Sequence, residues 1–397
     1  MFLNKRIEVY FQPIISIKDK KIFAVEALVR GFDKNNSVIT PNILFSEAKE
    51  KNIVDKLDNY IRTKAIEKFK IYYEQNNNLL LFLNFESSVI EKSKNQDFNL
   101  QFLKEVETLN INKNNIVLEI KEDTICDINA LNIFCQKYKN LGFIIAIDDF
   151  GTGYSSFDRL AIIKPDIVKI DRSLISNIQN NYINTSILKS IVDISNKIGA
   201  LTLAEGVETK EEILLCMKTH IDIYQGFYFE KPIENLYKIC ENKLFGKINK
   251  IGIEYKNVIK KHIKTKQSIL KKMQHLTKDA VKLISQEQEF CFEKLQLVLK
   301  ENSNIEAIYL IDFTSGNQIN DTLIANIHNR FYQASKHNDN HNLKEYYYMT
   351  KESKTKEFLS QKYISKATGN MCRTYSKVIN INENQVILCF DILTNLV

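Results

Sequence analysis

Two adjacent carboxylates, Asp148 and Asp149, stand where an apolar segment of the chain ends. That segment, Phe143–Ile147, contains no polar residue, which predicts a buried β-strand. A buried carboxylate is costly unless a cation or hydrogen bonds compensate it, so packing alone does not explain two in succession. Gly151 and Gly153 follow, and glycine lets a loop bend tightly against a ligand. The run therefore predicts a site for a divalent metal ion or a phosphate group.

Polar side chains also follow the other apolar segments in the first part of the chain. The segments that predict strands are Lys21–Val25, Leu79–Leu83, Ile116–Leu118, Ile167–Val168, Leu201–Ala204 and Ile221–Tyr224. The residues directly after them are Glu26, Asn84, Glu119, Lys169, Glu205 and Gln225. Segments with helical periodicity lie between these strands, and such alternation predicts a parallel sheet. About seven repeats of strand and helix suit an α/β TIM-like barrel, whose functional residues lie at the carboxyl ends of the strands.

Composition and charge limit the classes to which the protein could belong. The 397 residues suit two or three domains, and a hydrophobic fraction of 44% is ordinary for a globular protein. No apolar run reaches the ~18 residues of a membrane-spanning helix, so we expect a cytoplasmic protein without a membrane span. The seven cysteines lack Cys-x-x-Cys spacing, which argues against zinc or a disulfide framework. The net charge of +7 indicates a lysine-rich surface rather than nucleic-acid binding, because no nucleic-acid-binding motif accompanies it.

The distribution of proline and glycine predicts three segments, 1–245, 246–300 and 301–397. All four prolines lie before residue 240, and residues 250–300 contain one glycine, Gly252. The middle segment is therefore predicted to be a helical linker. Its patchy heptad of apolar residues suits a helix packed on its own domain or, alternatively, a contact in a homodimer.

Beyond residue 300 the pattern predicts a small α+β domain. The predicted strands are Ala307–Ile311, Tyr346–Met349, Cys372–Ile379 and Val386–Phe390, with a helix near 321–336. The segment has no paired carboxylates or nucleophile constellation, so we expect a sensor rather than a second enzyme. Its strands resemble those of PAS-like or Cache-like domains. Two segments resemble Cache ligand-pocket segments, Tyr346-Tyr347-Tyr348 and Tyr363-Ile364-Ser365, the latter followed by Thr368-Gly369. This likeness implies a small-molecule ligand that regulates the first domain.

The polar residues at the predicted strand ends are similar to the motifs of the EAL family of cyclic-di-GMP phosphodiesterases. The signature that names this family is Glu26-Ala27-Leu28-Val29-Arg30. The other matching motifs are Gln12-Pro13-Ile14, Asn84, Leu118-Glu119-Ile120-Lys121-Glu122, Asp148–Ser156, Val168-Lys169-Ile170-Asp171, Ala204–Glu208 and Gln225-Gly226-Phe227. The resemblance covers residues 5–240 and implies a TIM-like barrel that hydrolyses cyclic-di-GMP to linear pGpG.

The resemblance also implies a metal site. The expected ligands are Glu26, Asn84, Glu119, Asp148, Asp149 and Glu205. Two Mg²⁺ or Mn²⁺ ions ~3.5–4 Å apart could activate water, neutralise the phosphoryl group and stabilise the leaving oxygen. Such hard cations prefer carboxylate and amide oxygens. Lys121 and Glu230 depart from the usual motifs, and we expect them to tune substrate affinity without removing a ligand.

Three residues, Glu26, Lys169 and Glu205, are expected to act on the reaction itself. Near two cations Lys169 would have a lowered pKa, would orient or deprotonate the attacking water, and would be held in place by Glu208. The residues expected to contact substrate are Gln12, Val29, Arg30, Asp171, Glu208, Gln225 and Phe227, with the Arg30 fork matching a phosphate. Glu122 is expected to anchor the Asp148–Ser156 loop.

Two other functions are compatible with these residues. A degenerate family member would bind cyclic-di-GMP and signal without cutting it, but the complete set of expected ligands favours an enzyme. A different metal-dependent barrel hydrolase is disfavoured by the number of matching motifs. Asp171, Glu122 and Glu208 could equally support neighbouring side chains without touching the metal or the substrate.

Overall fold

The chain divides into two compact units, Met1–Asn257 and Val258–Val397. The computed structural model describes residues 5–92, 100–121, 127–152, 157–285, 292–325, 333–381 and 384–393. The division lies within a long helix, further along the chain than the position near 245 predicted from the sequence. Each unit has a hydrophobic core of its own.

The described part of the first unit contains nine strands and the helices between them. Its strands are β1 (Arg6–Ser16), β2 (Lys21–Phe32), β3 (Val38–Ile39), β4 (Leu80–Phe85), β5 (Ile116–Lys121), β6 (Ile144–Phe150), β7 (Ile167–Ile170), β8 (Leu201–Ala204) and β9 (Ile223–Tyr224). Its helices are α1 (Pro41–Glu50), α2 (Val54–Tyr73), α3 (Ser87–Lys92), α4 (Leu100–Thr108), α5 (Ile128–Asn140), α6 (Phe157–Ile163), α7 (Arg172–Ile175), α8 (Tyr182–Lys197), α9 (Lys210–Lys218) and the start of α10 (Glu241–Ser285). Short 3₁₀ helices occupy Lys113–Asn115, Ile178–Asn180 and Leu236–Lys238.

Eight of these strands close into a barrel, which confirms the predicted TIM-like fold. The strand order is β1-β9-β8-β7-β6-β5-β4-β2-β3, and the pairing of β1 with β2 closes the circle. Neighbouring barrel strands are parallel from β2 to β4 and on through β9, whereas β1 is antiparallel to both of its neighbours. The short β3, outside the barrel, is antiparallel to β2. The hairpin of β1 and β2 was not predicted, and it sets Gln12 directly opposite Glu26.

An apolar layer fills the barrel interior with one side chain from each of the eight strands. Its members are Ile14, Ala24, Phe82, Val117, Ala146, Ile167, Leu203 and Ile223. Alternate residues of a strand point to the same side of a sheet, so the residue two positions away shares the interior. That residue is polar in every case: Gln12, Glu26, Asn84, Glu119, Asp148, Lys169, Glu205 and Gln225. The strand residues between the apolar and polar positions, such as Val25 and Val168, are buried in the core that also contains side chains of the surrounding helices.

The second unit is an antiparallel sheet with helices. Its strands are β10 (Ile305–Asp312), β11 (Leu323–Ile324), β12 (Glu357–Leu359), β13 (Tyr363–Ile364), β14 (Met371–Ile381) and β15 (Asn384–Leu393). The end of α10, a 3₁₀ turn Phe292–Lys294, α11 (Leu295–Glu301) and α12 (Glu345–Glu352) accompany them. The strand order is β11-β10-β15-β14-β12, with β13 beside β14. Met273, Ala280 and Ile284 of α10 are buried in this unit's core, so the segment expected to be a linker is in part a core helix.

Two predictions for the second unit were not met. The predicted strand Tyr346–Met349 is helical and belongs to α12, because Tyr347 and Thr350 bury one face with helical spacing whereas Tyr348 and Met349 are exposed. The predicted helix near 321–336 contains the strand β11, and residues 326–332 of it lie outside the described residues. The predicted strands at Ala307–Ile311, Cys372–Ile379 and Val386–Phe390 are present within β10, β14 and β15.

Gly226, beside the barrel mouth, gives a stability prediction. A Cβ atom there would overlap the backbone nitrogen and oxygen of Val207, whereas a Cβ at Gly246 in α10 would meet no heavy atom within 4 Å. Gly226→Ala should lower the free energy of unfolding of the first unit by about 1–3 kcal/mol. Gly246→Ala should raise it by up to about 1 kcal/mol, since alanine favours helix. Urea unfolding of both variants checks this, and an unchanged midpoint for Gly226→Ala would contradict the backbone clash.

Candidate active site

Lys169 lies at the centre of the polar layer at the carboxyl ends of the barrel strands. Its Nζ is 2.6 Å from Glu119 Oε1, 2.7 Å from Asp148 Oδ1 and 2.7 Å from Glu205 Oε1. Glu26 Oε1 is 3.7 Å away. The Lys169 side chain is 1% exposed, so this ammonium has exchanged water for four carboxylates. One positive charge therefore balances only part of the negative charge around it.

The pKa values in this cluster follow from burial and from that excess of negative charge. Burial alone would lower the pKa of Lys169, but Asp148, Glu119 and the other two acids together raise it well above its ordinary value. The pKa of Glu119 is also well above normal, because of burial first and the nearby Glu26 second. Burial, with the charge of Asp148, raises the pKa of Glu205 to about 8. The lowered pKa expected for Lys169 assumed that metal cations lie beside it. The four carboxylates around Lys169 instead raise its pKa.

Two amide side chains hold Glu26 in place, and a third contacts one of them. Asn84 donates from Nδ2 to Glu26 Oε1 over 3.2 Å, and Gln225 donates from Nε2 to Glu26 Oε2. The Gln225 amide also lies 3.2 Å from Gln12 Oε1, and Gln12 donates to the backbone oxygen of Glu230 over 3.1 Å. The β1–β2 hairpin makes this chain of contacts possible, since it pairs Gln12 with Glu26.

The oxygen atoms at this site suit a hard divalent cation. Asp148, Asp149 and Glu205 each offer a carboxylate oxygen, and the three atoms lie within 4.8 Å of one another. Within the described part of the chain, the buried Glu119 Oε2 has no hydrogen-bond partner. Asp149 has φ 57°, a left-handed conformation that turns its carboxylate out of the regular strand. Carboxylate oxygens that cluster in this way without sufficient positive charge fit Mg²⁺ or Mn²⁺.

Lys121 forms an ion pair with Asp149 that was not predicted from the sequence. Its Nζ lies 3.0 Å from Asp149 Oδ2 at the rim of the site. Burial alone would lower the pKa of Lys121, but the bond to Asp149 raises it, and the net result is a raised pKa. The pKa of Asp149 is also raised, by burial and by its neighbour Asp148. Lys121 therefore neutralises one of the carboxylates that a metal ion would use.

A cavity of about 580 Å³ opens above the polar layer. Of the residues expected at the metal or substrate, it is lined by Gln12, Glu26, Val29, Asn84, Asp148, Asp149, Lys169, Glu205, Glu208, Gln225 and Phe227. Lys121, Arg172 and Glu86 line it as well. The cavity is thus polar at its floor and carries both signs of charge at its walls.

Three of the residues expected at the site make other contacts. Glu208 does not hold Lys169: it forms an ion pair of 2.8 Å with Arg172, because the turn after β7 brings the Arg172 guanidinium to it. Arg30 is not among the residues that line the cavity, and it donates to the backbone oxygen of Val29 over 2.7 Å. Asp171 caps α7 by accepting from the Ser173 amide over 2.8 Å. Glu122 lies outside the described residues.

The fold and the site together define an α/β-barrel protein with an acidic ring at the carboxyl ends of its strands. Residues 1–232 match the family model of the EAL domain, and the chain belongs to the EAL domain family. Cyclic di-GMP phosphodiesterase NbdA of Pseudomonas aeruginosa is 26% identical over 58% of this chain and 29% of its own length. The EAL-domain containing protein YkuI of Bacillus subtilis is 26% identical over 96% of this chain and 93% of its own.

A solved structure shares the fold of the whole chain. The crystal structure of YkuI, in complex with substrate c-di-GMP and calcium, covers 98% of this chain with a TM-score of 0.82 and 24% identity. This chain spans less than a third of NbdA but nearly all of YkuI.

Among the described residues, no helix has both the length and the apolar composition to cross a membrane.

The Lys121–Asp149 ion pair predicts an effect on metal affinity. Lys121→Met removes the ammonium that competes for Asp149, so Mn²⁺ should bind about two- to fivefold more tightly, the range of a partly exposed ion pair. Isothermal calorimetry on the full-length chain measures this, with the exposed Lys189→Met as the matched control. Equal or weaker Mn²⁺ binding by Lys121→Met would show that Lys121 does not compete with the metal.

Proposed function

We propose that this protein hydrolyses cyclic-di-GMP to linear pGpG with the help of two Mg²⁺ or Mn²⁺ ions. The observation that carries this proposal is the convergence of Glu26, Glu119, Asp148 and Glu205 on Lys169 at the floor of a cavity. Family membership supports it, because NbdA is a cyclic di-GMP phosphodiesterase and YkuI was crystallised with c-di-GMP.

The proposed metal ligands are Glu26, Asn84, Glu119, Asp148, Asp149 and Glu205. When bound, the ions supply positive charge to the phosphoryl oxygens and activate water as a nucleophile. The chain's contribution is to hold these oxygens in a fixed ring. Gln225 and Asn84 orient Glu26, and the barrel register fixes the others.

Lys169 is proposed to position the attacking water. Its three N–H groups contact Glu119, Asp148 and Glu205, so an N–H becomes free for water only when one of these carboxylates turns to a bound metal ion. That N–H could then direct a water lone pair towards phosphorus. The water oxygen forms a new bond to phosphorus, and the bond from phosphorus to one ribose 3′ oxygen breaks. One proton of the water is lost to a base, and the leaving oxygen gains a proton, which gives a linear dinucleotide with a 5′ phosphate.

The cavity walls are proposed to bind the rest of the dinucleotide. Arg172 is better placed than Arg30 for a phosphate, since it lines the cavity and its guanidinium is already oriented by Glu208. Phe227 is 53% exposed at the mouth, where its ring can stack on a guanine base. Val29, Gln12 and Gln225 complete the lining.

The second candidate function is a receptor that binds cyclic-di-GMP without cutting it. The observation in its favour is the Lys169 ammonium itself, which contacts three carboxylates at 2.6–2.7 Å and so competes with a cation for the same oxygen atoms. A site that remained in this arrangement would bind substrate at its walls and leave the phosphodiester intact.

The second unit is proposed to be a PAS-like or Cache-like sensor that regulates the barrel, and the protein is proposed to act as a homodimer. The argument rests on α10, a single helix of 45 residues that contains the division between the units. A sensor must favour one of two states of the enzyme in order to regulate it, and a continuous helix can transmit such a change.

The first prediction for the activity concerns Glu26. Glu26→Ala should lower the rate of cyclic-di-GMP hydrolysis by about a hundredfold or more, because a proposed ligand of the metal is lost. The exposed Glu67→Ala is the control and should keep the parental rate. Initial rates are measured by chromatography of the nucleotides. A Glu26→Ala variant as fast as the parent would mean that the site is assigned to the wrong residues.

Lys169 gives a prediction that separates rate from binding. Lys169→Ala should lower the turnover rate about 10²–10⁴-fold, the usual range for a group that orders proton transfer, and should still bind cyclic-di-GMP and Mn²⁺. Single-turnover rates and calorimetric binding are compared with those of the exposed Lys189→Ala. Loss of binding with an unchanged rate per complex would contradict the role given to Lys169.

Regulation through α10 is tested at Lys264, an exposed position of that helix. Lys264→Pro should break the helix, since proline in a helix interior costs about 3 kcal/mol. We expect a change in turnover rate or in mass in solution, measured by light scattering, that Lys264→Ala does not produce. If Lys264→Pro matched Lys264→Ala in both properties, the helix would not carry a regulatory signal.

A further inference from the structure

A second cavity, of about 380 Å³, lies within the sheet unit at residues 258–397. It is bounded by residues of β10, β13, β15 and α12, and its volume is within the range of small-ligand pockets, about 300–1,000 Å³. Tyr309, Tyr346 and Tyr363 form its walls, and Asp391 lies at its base. This cavity is separate from the barrel site and contains none of the residues discussed there.

Among the described residues, no cationic side chain pairs with the buried carboxylate of Asp391. It is 3% exposed and accepts hydrogen bonds only from hydroxyl groups within the described residues: Thr374 at 2.8 Å, Tyr363 at 3.1 Å, Ser365 at 3.1 Å and Tyr309 at 3.4 Å. Three of these bonds go to Oδ1, so Oδ2, which accepts from Ser365, keeps room for another donor. Burial raises the pKa of Asp391 to about 6, because its effect is larger than that of the hydroxyl hydrogen bonds, which lower the pKa.

The tyrosine walls offer ring surfaces rather than hydroxyl donors to a ligand. The hydroxyls of Tyr309 and Tyr363 are directed at Asp391, and that of Tyr346 lies 2.8 Å from His341 Nδ1. His341 Nε2 faces Gln318 Oε1 at 2.9 Å, and an amide oxygen can only accept. The proton of His341 is therefore on Nε2, and Nδ1 accepts from Tyr346. Aromatic rings around a carboxylate favour a cationic group.

The mouth of the cavity is positively charged, opposite in sign to Asp391 at its base. Lys344, Lys362 and Lys366 line it, with Glu345 as the acidic neighbour. A simple amine would be repelled by these lysines, and a simple anion would be repelled by Asp391. A ligand that carries both an ammonium and a carboxylate can place one group on Asp391 and the other towards the lysines.

We propose that this cavity binds a small zwitterion of the amino-acid type, with its ammonium on Asp391 and its carboxylate towards the lysines at the mouth. The ammonium supplies the missing partner for Oδ2 and rests between the tyrosine rings. The binding does not depend on the proposed hydrolysis, because it lies in the other unit.

The test uses the full-length chain and the twenty L-amino acids as probes in a thermal-shift screen, followed by calorimetry. At least one amino acid should bind, and its N-acetyl derivative and its methyl ester should each bind at least about tenfold more weakly, since each lacks one of the two charges. If none of the twenty binds, or if the N-acetyl derivative binds as tightly as the parent compound, the proposal is wrong.

Variants locate the binding in this cavity. Asp391→Asn should weaken binding at least about tenfold, whereas Glu306→Gln, which changes another buried carboxylate of the same unit outside the cavity lining, should leave it unchanged. Lys362 and Lys366 are exposed, so the double change to alanine preserves the fold even if Asp391→Asn does not. The double variant should weaken binding of the amino acid but not of its methyl ester. Equal affinity of the parent and the double variant for the amino acid would overturn the proposal.

Discussion

The Lys169 ammonium, in contact with Glu119, Asp148 and Glu205, sets the condition under which this barrel can bury its acids. Carboxylates taken out of water together repel one another, and their loss of hydration is repaid only by close opposite charge and hydrogen bonds. Lys169 provides that charge, and the amides around Glu26 provide the hydrogen bonds. Burial and the neighbouring carboxylates raise the pKa of Glu205, and the same buried excess of negative charge makes the site suitable for divalent cations.

The register of the strands ties this charge balance to the packing beneath it. Each interior polar residue stands two positions from an interior apolar one, as Lys169 does from Ile167 and Glu205 from Leu203. A slip of one residue would turn the charged side chains towards the helices and the apolar ones towards the cavity. The floor of the site and the barrel core are therefore specified by one pattern.

That pattern explains which features could be predicted from the sequence. Glu119 and Asp148 were found because each follows an apolar run and strand ends of a barrel meet at one face. Strand β1 was not predicted because Pro13 lacks an amide proton, which argues against a strand. The proline is tolerated there because β1 pairs with β9 only at Ile15. The partner of Glu208 depends on the turn after β7, which brings Arg172 rather than Lys169 to it, and no spacing in the sequence encodes that choice.

The second unit shows where local preference fails. Three successive tyrosines, beginning at Tyr346, favour a strand by propensity, but burial of Tyr347 and Thr350 on one face makes the segment helical. Asp391 could not be recognised as unusual either, because its hydroxyl donors come from β10, β13 and β14 and meet only in the folded sheet.

The most direct measurement is the identity of the product formed by the full-length chain. Purified protein is incubated with cyclic-di-GMP and Mn²⁺ or Mg²⁺, with and without a chelator, and the nucleotides are separated and identified by mass. The account predicts linear pGpG in the presence of either metal ion and unchanged cyclic-di-GMP with the chelator. Cyclic-di-GMP that is bound by the protein but recovered intact with both metal ions would contradict the account and would identify the protein as a receptor.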